Sequence, residues 1–240
     1  MLFALVAAGL AAAAVRQQRR ADDLRRALAD GDYAALIRDY RNLLRRDLPP
    51  TYEPKVRMVL SWLLCCMEDH DEALYELDQV ATAELGVVDV ASWLNGRAYV
   101  LTMLGRPEEA LEHLREADEL LTGEEASARR SSLEACIVGT RGISLFRIGK
   151  LEEAEEHLWR ALKLGNQARR HTLGEDTVGE QALLAERWWW LSEVARARGD
   201  EREALLRLRR AGSFSGTPFG LRARRALAEL PPLQPLPLKS

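Results

Sequence analysis

Cysteine is scarce in this chain, and neither sign of charge prevails. The cysteines are Cys65, Cys66 and Cys136; because the first two are neighbours that pair only with strain, a disulfide framework is excluded and a reducing compartment is favoured. The 34 basic and 37 acidic residues give a net charge of −3 and are mixed along the chain. Because no basic field results, we expect no nucleic-acid partner.

The sequence also lacks the local motifs that carry chemistry. No nucleophile elbow, phosphate-binding glycine loop or Cys/His metal-ligand spacing occurs, and the histidines are scattered. Acidic pairs such as Glu108–Glu109 fall where helices are expected to begin, a position that suits the helix dipole. We therefore expect no catalytic residue, no cofactor, no metal and no small-molecule substrate, and the sequence predicts a protein that is not an enzyme.

Long apolar runs are absent except at the N-terminus. Residues 1–15 read MLFALVAAGLAAAAV, without a charged side chain, and three arginines follow within five residues. A helical span needs about 17–25 apolar residues, so this run is short, but a soluble helix rarely lacks a polar face. We predict a transmembrane anchor with the following domain in the cytoplasm, because arginine-rich flanks tend to stay there. An export signal and a packed helix of a soluble cytoplasmic protein are the alternatives.

Strong helix formers, above all alanine, leucine, glutamate and arginine, dominate the rest of the chain, which predicts an all-α fold. Four segments share one pattern: a helix ends at a glycine or polar turn, and a second helix opens with acidic residues, then alanine, then leucine four residues later. The copies span about 54–84, 91–123, 135–165 and 185–214. Their turns fall at Asp69–His70–Asp71, Gly105, Gly149 and Gly199.

Small residues recur where the two helices of each copy would cross, and they let the backbones approach closely. One hairpin cannot bury its apolar face alone, so the copies are expected to stack. Such residues include Ala98 and Gly142 in the first helices, and Ala73, Ala110, Ala154 and Ala204 in the second; Ser61 and Ser192 also lie in first helices.

This arrangement resembles the tetratricopeptide repeat, whose helix–turn–helix unit carries spaced Trp, Leu, Gly, Tyr, Ala, Phe, Ala and Pro. Trp188, Leu191 and Gly142 match, as do the alanines, whereas most signature tyrosines, the phenylalanine and the closing proline are replaced or absent. The second-helix alanines lie 37, 44 and 50 residues apart, against a family period of about 34. The extra residues are expected in loops around Thr122–Arg130 and Asn166–Gly179.

The resemblance covers about residues 54–216 and implies stacked antiparallel helix hairpins in a right-handed superhelical solenoid. We expect residues 1–15 to form the apolar anchor helix, 16–52 a degenerate hairpin or cap, and 53–230 the repeat domain with a capping helix near its end. Residues 231–240, PPLQPLPLKS, form a proline-rich tail that should be extended or disordered.

The run Trp188–Trp189–Trp190 cannot face one core, because successive residues on a helix point about 100° apart. Trp188 aligns with the buried tryptophan of the family, so we expect Trp189 on the concave surface and Trp190 against a neighbouring repeat or loop. The alternative is burial of all three by the insertion at 166–184.

Projecting one face of the first helices gives a candidate partner-binding groove. Methionine and aromatic side chains offer adaptable apolar contact, and arginine can hold a carboxylate, so the expected partner is a protein or peptide segment of mixed apolar and acidic character. Each side chain could equally belong to the packed core. Ile143 shares the face. The candidates are Met58, Trp62, Asn95, Tyr99, Met103, Phe146, Arg147, Trp189, Glu193 and Arg196.

Two functions follow from these patterns. The leading hypothesis is a membrane-tethered adaptor that recruits a protein segment through the concave groove. The alternative is a structural subunit or assembly factor of a larger membrane-associated complex, in which the convex face, the insertions and the N-terminal helix make the contacts.

Overall fold

The computed structural model describes residues 32–123, 128–171 and 178–229, although the side chains of 128, 129, 168–171 and 178–180 are not described. The predicted anchor, the first helix of the N-terminal hairpin and the proline-rich tail lie outside these residues. In the described ranges the protein is all-α, as expected. Its helices are α1 (Tyr33–Leu44), α2 (Glu53–Cys66), α3 (His70–Asp78), α4 (Val87–Met103), α5 (Pro107–Leu121), α6 (Ala128–Arg147), α7 (Leu151–His171), α8 (Val178–Ala197), α9 (Glu201–Gly212) and α10 (Pro218–Glu229).

The helices pair in chain order, α2 with α3, α4 with α5, α6 with α7 and α8 with α9. The first helices of successive pairs, α2, α4, α6 and α8, also contact one another in sequence, and α10 packs on α8 and α9. The four helix pairs therefore stack side by side with the first helices forming one layer, and α10, which we call the capping helix, packs against the last pair.

Each hairpin turns at a residue with a left-handed backbone, which we call the turn residue. The predicted glycines Gly105, Gly149 and Gly199 have φ of 79°, 82° and 80°. The residue after each donates its N–H to a carbonyl in the last turn of the first helix, at 2.9–3.0 Å, which caps that helix. In the first hairpin the turn residue is Glu68, with φ of 64°. The turn predicted at Asp69–His70–Asp71 thus begins one residue earlier, and Asp69 caps α3.

Aligning the hairpins on their turn residues shows why the helices pack closely. A buried small residue lies seven positions before each turn residue. Buried apolar residues lie five, nine and twelve positions after each turn residue, and the four sets are given in this order at the end of the paragraph. At Gly142 an added Cβ would lie 3.1 Å from the backbone oxygen of Ala154, so the helix crossing leaves no room for a side chain. The sets are Ser61, Ala98, Gly142 and Ser192; Ala73, Ala110, Ala154 and Ala204; Leu77, Leu114, Leu158 and Leu208; and Val80, Ala117, Ala161 and Ala211.

The insertions differ in part from expectation. The expected loop from Asn166 is helical as far as His171, because α7 continues through Gly165, and α6 already begins at Ala128. One glycine costs a helix only about 1 kcal/mol, and the residues that follow Gly165 include good helix formers. Residues 124–127 and 172–177 lie outside the described part of the chain.

Candidate binding cavity

A cavity of about 700 Å³ opens on the layer of first helices. The residues thirteen positions before the four turn residues all line it, so each of the four first helices contributes to the cavity at the same register position. The N-terminal part of α10 closes one side through Pro218, Phe219 and Arg222. The four equivalent lining residues are Lys55, Ser92, Cys136 and Glu186.

One wall of the cavity is apolar. Met58, Val59 and Trp62 of α2 face it, together with Val100 of α4 and Phe219 of α10. Trp62 remains 37% exposed although its neighbours Leu63 and Leu64 are buried, so this indole is open to a ligand. Such a wall suits the apolar side chains of a peptide.

A buried polar network forms another part of the lining. Glu186 and Arg187 are adjacent on α8, and they form an ion pair although both are almost fully buried. Tyr99 of α4 is hydrogen-bonded to Glu186; burial, followed by the negative charge of that carboxylate, raises the pKa of the Tyr99 phenol well above its usual value. A methyl group at Gly139 of α6 would overlap the guanidinium of Arg187, so this glycine makes room for the network.

All three thiols also line the cavity. Burial, with the nearby charge of Glu186, raises the pKa of Cys65 to about 12. Burial likewise raises the pKa of Cys66 and that of Cys136. The thiol, not the thiolate, is therefore present near neutral pH, which disfavours nucleophilic or redox chemistry.

Charge is balanced around the cavity. Lys55 pairs with Asp89 at 3.5 Å, Glu186 pairs with Arg187, and Arg222 pairs with Glu68, so each charged lining residue has an opposite partner. Asn95, in contrast, has a buried side-chain oxygen that accepts no hydrogen bond from the described residues. Because an unpaired buried acceptor costs about 1–3 kcal/mol, this oxygen favours a ligand that brings a donor.

The predicted groove residues separate into two groups. Met58, Trp62, Asn95 and Tyr99 line the cavity. Ile143 is fully buried, and Met103, Phe146 and Trp189 pack on the hydrophobic cluster around it. The remaining members, Arg147, Glu193 and Arg196, do not line the cavity either. A binding role for all ten residues stays a prediction.

The arginines expected to hold a ligand carboxylate have partners within the chain. The guanidinium of Arg147 lies 5.3 Å from the ring centre of Trp190, and Arg196 pairs with Glu193 at 2.5 Å. Neither faces the cavity. The two arginines that do line the cavity, Arg187 and Arg222, are each paired with a carboxylate, and a ligand of mixed apolar and acidic character stays a prediction.

The three tryptophans separate as helix geometry requires. Trp190 is buried against Phe146 and Phe219. Trp189 packs on the hydrophobic cluster around Ile143 and on a second cluster formed by Leu208, Ala211 and Ala223, and it also contacts Phe219. Trp188 is only half-buried and meets Trp159 of α7 edge-on, with ring centres 5.2 Å apart. The capping helix therefore covers the end of the groove at which Trp189 was expected to be open.

Sequence reasoning did not select Glu186, Arg187, Phe219 or Arg222. Two signals were available for the network: Glu186 stands at the same register position as Lys55 and Ser92, and Gly139 is a glycine within a predicted helix. The contribution of α10 had no repeat position to indicate it, because that helix lies outside the repeating pattern.

No family model and no curated protein matches the chain. Among solved structures, it is similar to PlcR of Bacillus thuringiensis in complex with the peptide PapR7 and DNA, with a TM-score of 0.63 and 13% identity over 89% of this chain and 73% of that one. It also matches BtubC (BKLC) of P. vanneervenii, at a TM-score of 0.49 and 23% identity, covering 91% and 82% of the two chains. At 13% identity, the first likeness shows that this helical fold occurs in a solved protein.

Proposed function

We propose that this protein is a non-catalytic scaffold that binds a short segment of a partner protein in the cavity on its first helices. The observation that carries the proposal is an open, largely apolar cavity whose charges are internally paired, while the side-chain oxygen of Asn95 accepts no hydrogen bond from any residue that the structure describes. A peptide supplies both requirements, because its backbone N–H groups are donors and its apolar side chains fit the wall around Trp62.

The dimensions favour a short segment over a long helix. Ligand sites of about 300–1,000 Å³ enclose compact ligands, and this cavity of about 700 Å³ lies in that range. That the PlcR structure contains a peptide makes peptide binding by a fold of this kind reasonable, although the low identity transfers no particular residue.

The finer fold assignment belongs to the same proposal. We propose that the hairpins form a right-handed superhelix of tetratricopeptide type. The support is the repeated register of small residue, left-handed turn, alanine and leucine at fixed distances in all four hairpins. These distances from the turn residue are the same in all four hairpins, even though the hairpins are unequally spaced along the chain.

Membrane tethering remains part of the hypothesis through residues 1–15 alone. Within the described ranges, no helix combines the length and the apolar character that a bilayer crossing requires. Fractionation of the full chain, followed by high-salt extraction, tests the tether: pelleting that resists salt supports it, and recovery in the supernatant contradicts it. Independence from nucleic acid likewise rests only on the mixed charge of the chain.

The binding function is tested by selecting peptides from a random display library on the immobilised full chain. We expect apolar, uncharged consensus sequences whose binding to the variant Asn95→Leu is weakened at least tenfold. The matched control is Asn42→Leu, which changes an asparagine exposed on α1 and should bind normally. A library that yields no consensus, or peptides that bind both variants equally, would contradict the proposal.

One observation favours the alternative of a structural subunit. Trp159 is 41% exposed on α7, beside a second cleft lined by Trp188, Arg210 and Phe214. An exposed tryptophan among arginines is typical of protein interfaces. If this face were a permanent contact, Trp159→Ala should release the protein from a larger assembly on native size analysis, whereas Asn95→Leu should not.

A further inference from the structure

The turn residue of the first hairpin differs in kind from the other three. Gly105, Gly149 and Gly199 adopt the left-handed conformation at no steric cost, but Glu68 holds the same conformation with a side chain. A left-handed non-glycine residue costs roughly 1–2 kcal/mol. Nothing in the local hydrogen bonding sets this turn apart, because Asp69 donates to the carbonyl of Leu64 as its counterparts do. The glutamate therefore has to be explained by what its side chain contacts.

The carboxylate of Glu68 pairs with the guanidinium of Arg222, which is 154 positions away in the chain. Arg222 lies on α10, where it also stacks at 4.8 Å from the ring centre of Phe219 and 5.7 Å from that of Trp189. These two rings hold the guanidinium in place from the side of α8 and α10. Glu68 reaches it from the other end of the array.

The ion pair joins two helices that both line the cavity. Arg222 of α10 lines it itself, and Cys66, two residues before Glu68 and the last residue of α2, lines it as well. Neighbouring helices pack closely along their backbones, but α2 and α10 do not pack on each other in this way within the described residues. A side-chain bridge therefore spans a gap that backbone packing leaves open.

We propose that the Glu68–Arg222 ion pair is a latch that closes one side of the otherwise open cavity, between α2 and α10, and opens reversibly to widen the cavity for a ligand. The proposed closure depends only on the contacts described above, whereas the nature of the ligand rests on the proposed function. The ion pair contributes little to stability, because the Glu68 side chain is 66% exposed and that of Arg222 is 34% exposed. Exposed ion pairs of this kind contribute little and are screened by salt, so opening needs no large input of free energy.

The thiol of Cys136 reports on the latch without any ligand. Cys136 is on α6, far along the chain from both latch residues, yet it lines the same cavity. Its burial keeps the thiol protonated and slow to react. The experiment exposes the full chain at constant pH to a small maleimide reagent and measures labelling of Cys136 separately from that of Cys65 and Cys66 by peptide mass spectrometry.

Two variants open the latch in different ways. Glu68→Gln removes the charge and keeps the side chain, whereas Glu68→Gly removes the bridge and also relieves the left-handed strain. We expect both to raise the labelling rate of Cys136 at least threefold, and Glu68→Gly to do so while its denaturation midpoint rises. The double variant Glu68→Arg with Arg222→Glu should restore the slow rate, and salt should accelerate labelling of the original chain.

The matched control is Glu109→Gln, which removes the Arg106–Glu109 ion pair beside the turn of the next hairpin. It should leave labelling unchanged. Equal labelling rates in the original chain and in both Glu68 variants would overturn the latch. A labelling response without any peptide selected by the cavity would leave the latch standing and overturn the binding function alone, so the two proposals fail separately.

Discussion

Gly139 and Gly165 both stand inside helices, but the space around them is opposite. At Gly139 a Cβ would overlap the Arg187 guanidinium, whereas at Gly165 nothing lies within 4 Å. We expect Gly139→Ala to destabilise the protein by about 2–3 kcal/mol, because it displaces one member of a buried ion pair. Gly165→Ala should stabilise it by about 0.5–1 kcal/mol, because alanine loses less entropy in a helix.

Urea denaturation of the two variants checks this pair. The original chain is the reference, and the sign of the change matters more than its size. Equal effects of the two substitutions would mean that helix propensity alone decides and that Arg187 does not occupy the space above Gly139.

At the residue scale, the turn residues that could be predicted from the sequence are those whose backbone conformation favours one residue type. Gly105, Gly149 and Gly199 were identified from the sequence, because glycine is the residue that a left-handed helix end favours. Glu68 could not be identified, since glutamate is not expected in that conformation and its partner lies 154 positions away. Residues selected for a tertiary contact leave no local pattern.

At the scale of helices, the close crossing of α6 and α7 depends on Gly142. An added Cβ would lie 2.9 Å from the Cγ of Leu158 and 3.1 Å from the oxygen of Ala154. We expect Gly142→Ala to cost about 1–3 kcal/mol, because the two helices must separate. Gly96→Ala is the control: its Cβ would make ordinary contact with Leu77 at 3.7 Å, and the variant should be as stable as the original or slightly more so. Thermal denaturation of both checks the difference.

Consecutive hairpins are also joined by charge. Glu155 of α7 binds Arg207 of α9 at 2.7 Å and pairs with Arg198 at the end of α8. Burial would raise the pKa of this carboxyl, but hydrogen bonds and charge from Arg207 and Arg198 outweigh burial and lower it. The stabilisation is therefore present above the pKa of an unfolded glutamate and lost as pH falls through the lower pKa of the folded state.

We expect Glu155→Gln to lower the free energy of unfolding by about 1–2 kcal/mol at pH 7 and by less below pH 4. Urea titrations at several pH values check this narrowing. Glu153→Gln, which breaks an exposed pair with Lys150, serves as the control and should show little change at any pH. An equal loss at pH 7 and pH 3 would show that the Glu155 charge does not hold the hairpins together.

For the molecule as a whole, the sequence was sufficient to predict the structure of the repeating hairpins, but it was not sufficient to predict the elements outside the repeat. The hairpins and their small-residue crossings follow from local periodicity. The cavity does not, because its position depends on how the layer of first helices curves and on where α10 is placed. Met58 and Asn95 line the cavity, but Trp189 is covered by Phe219, a residue that belongs to no repeat.

The contribution of the capping helix to the whole molecule can be tested through Phe219. Phe219 contacts Trp189 and Trp190 of α8, with ring centres 6.2 and 6.5 Å apart. Because Phe219 is only half-buried, we expect Phe219→Ala to cost about 2 kcal/mol, less than removal of a fully buried ring. Tyr75→Ala, which removes a ring that is 60% exposed on α3, should change stability by less than about 0.5 kcal/mol. Tryptophan emission should also shift to longer wavelength in Phe219→Ala, since two indoles gain access to water. An unshifted spectrum with unchanged stability would mean that α10 does not cover the end of the array.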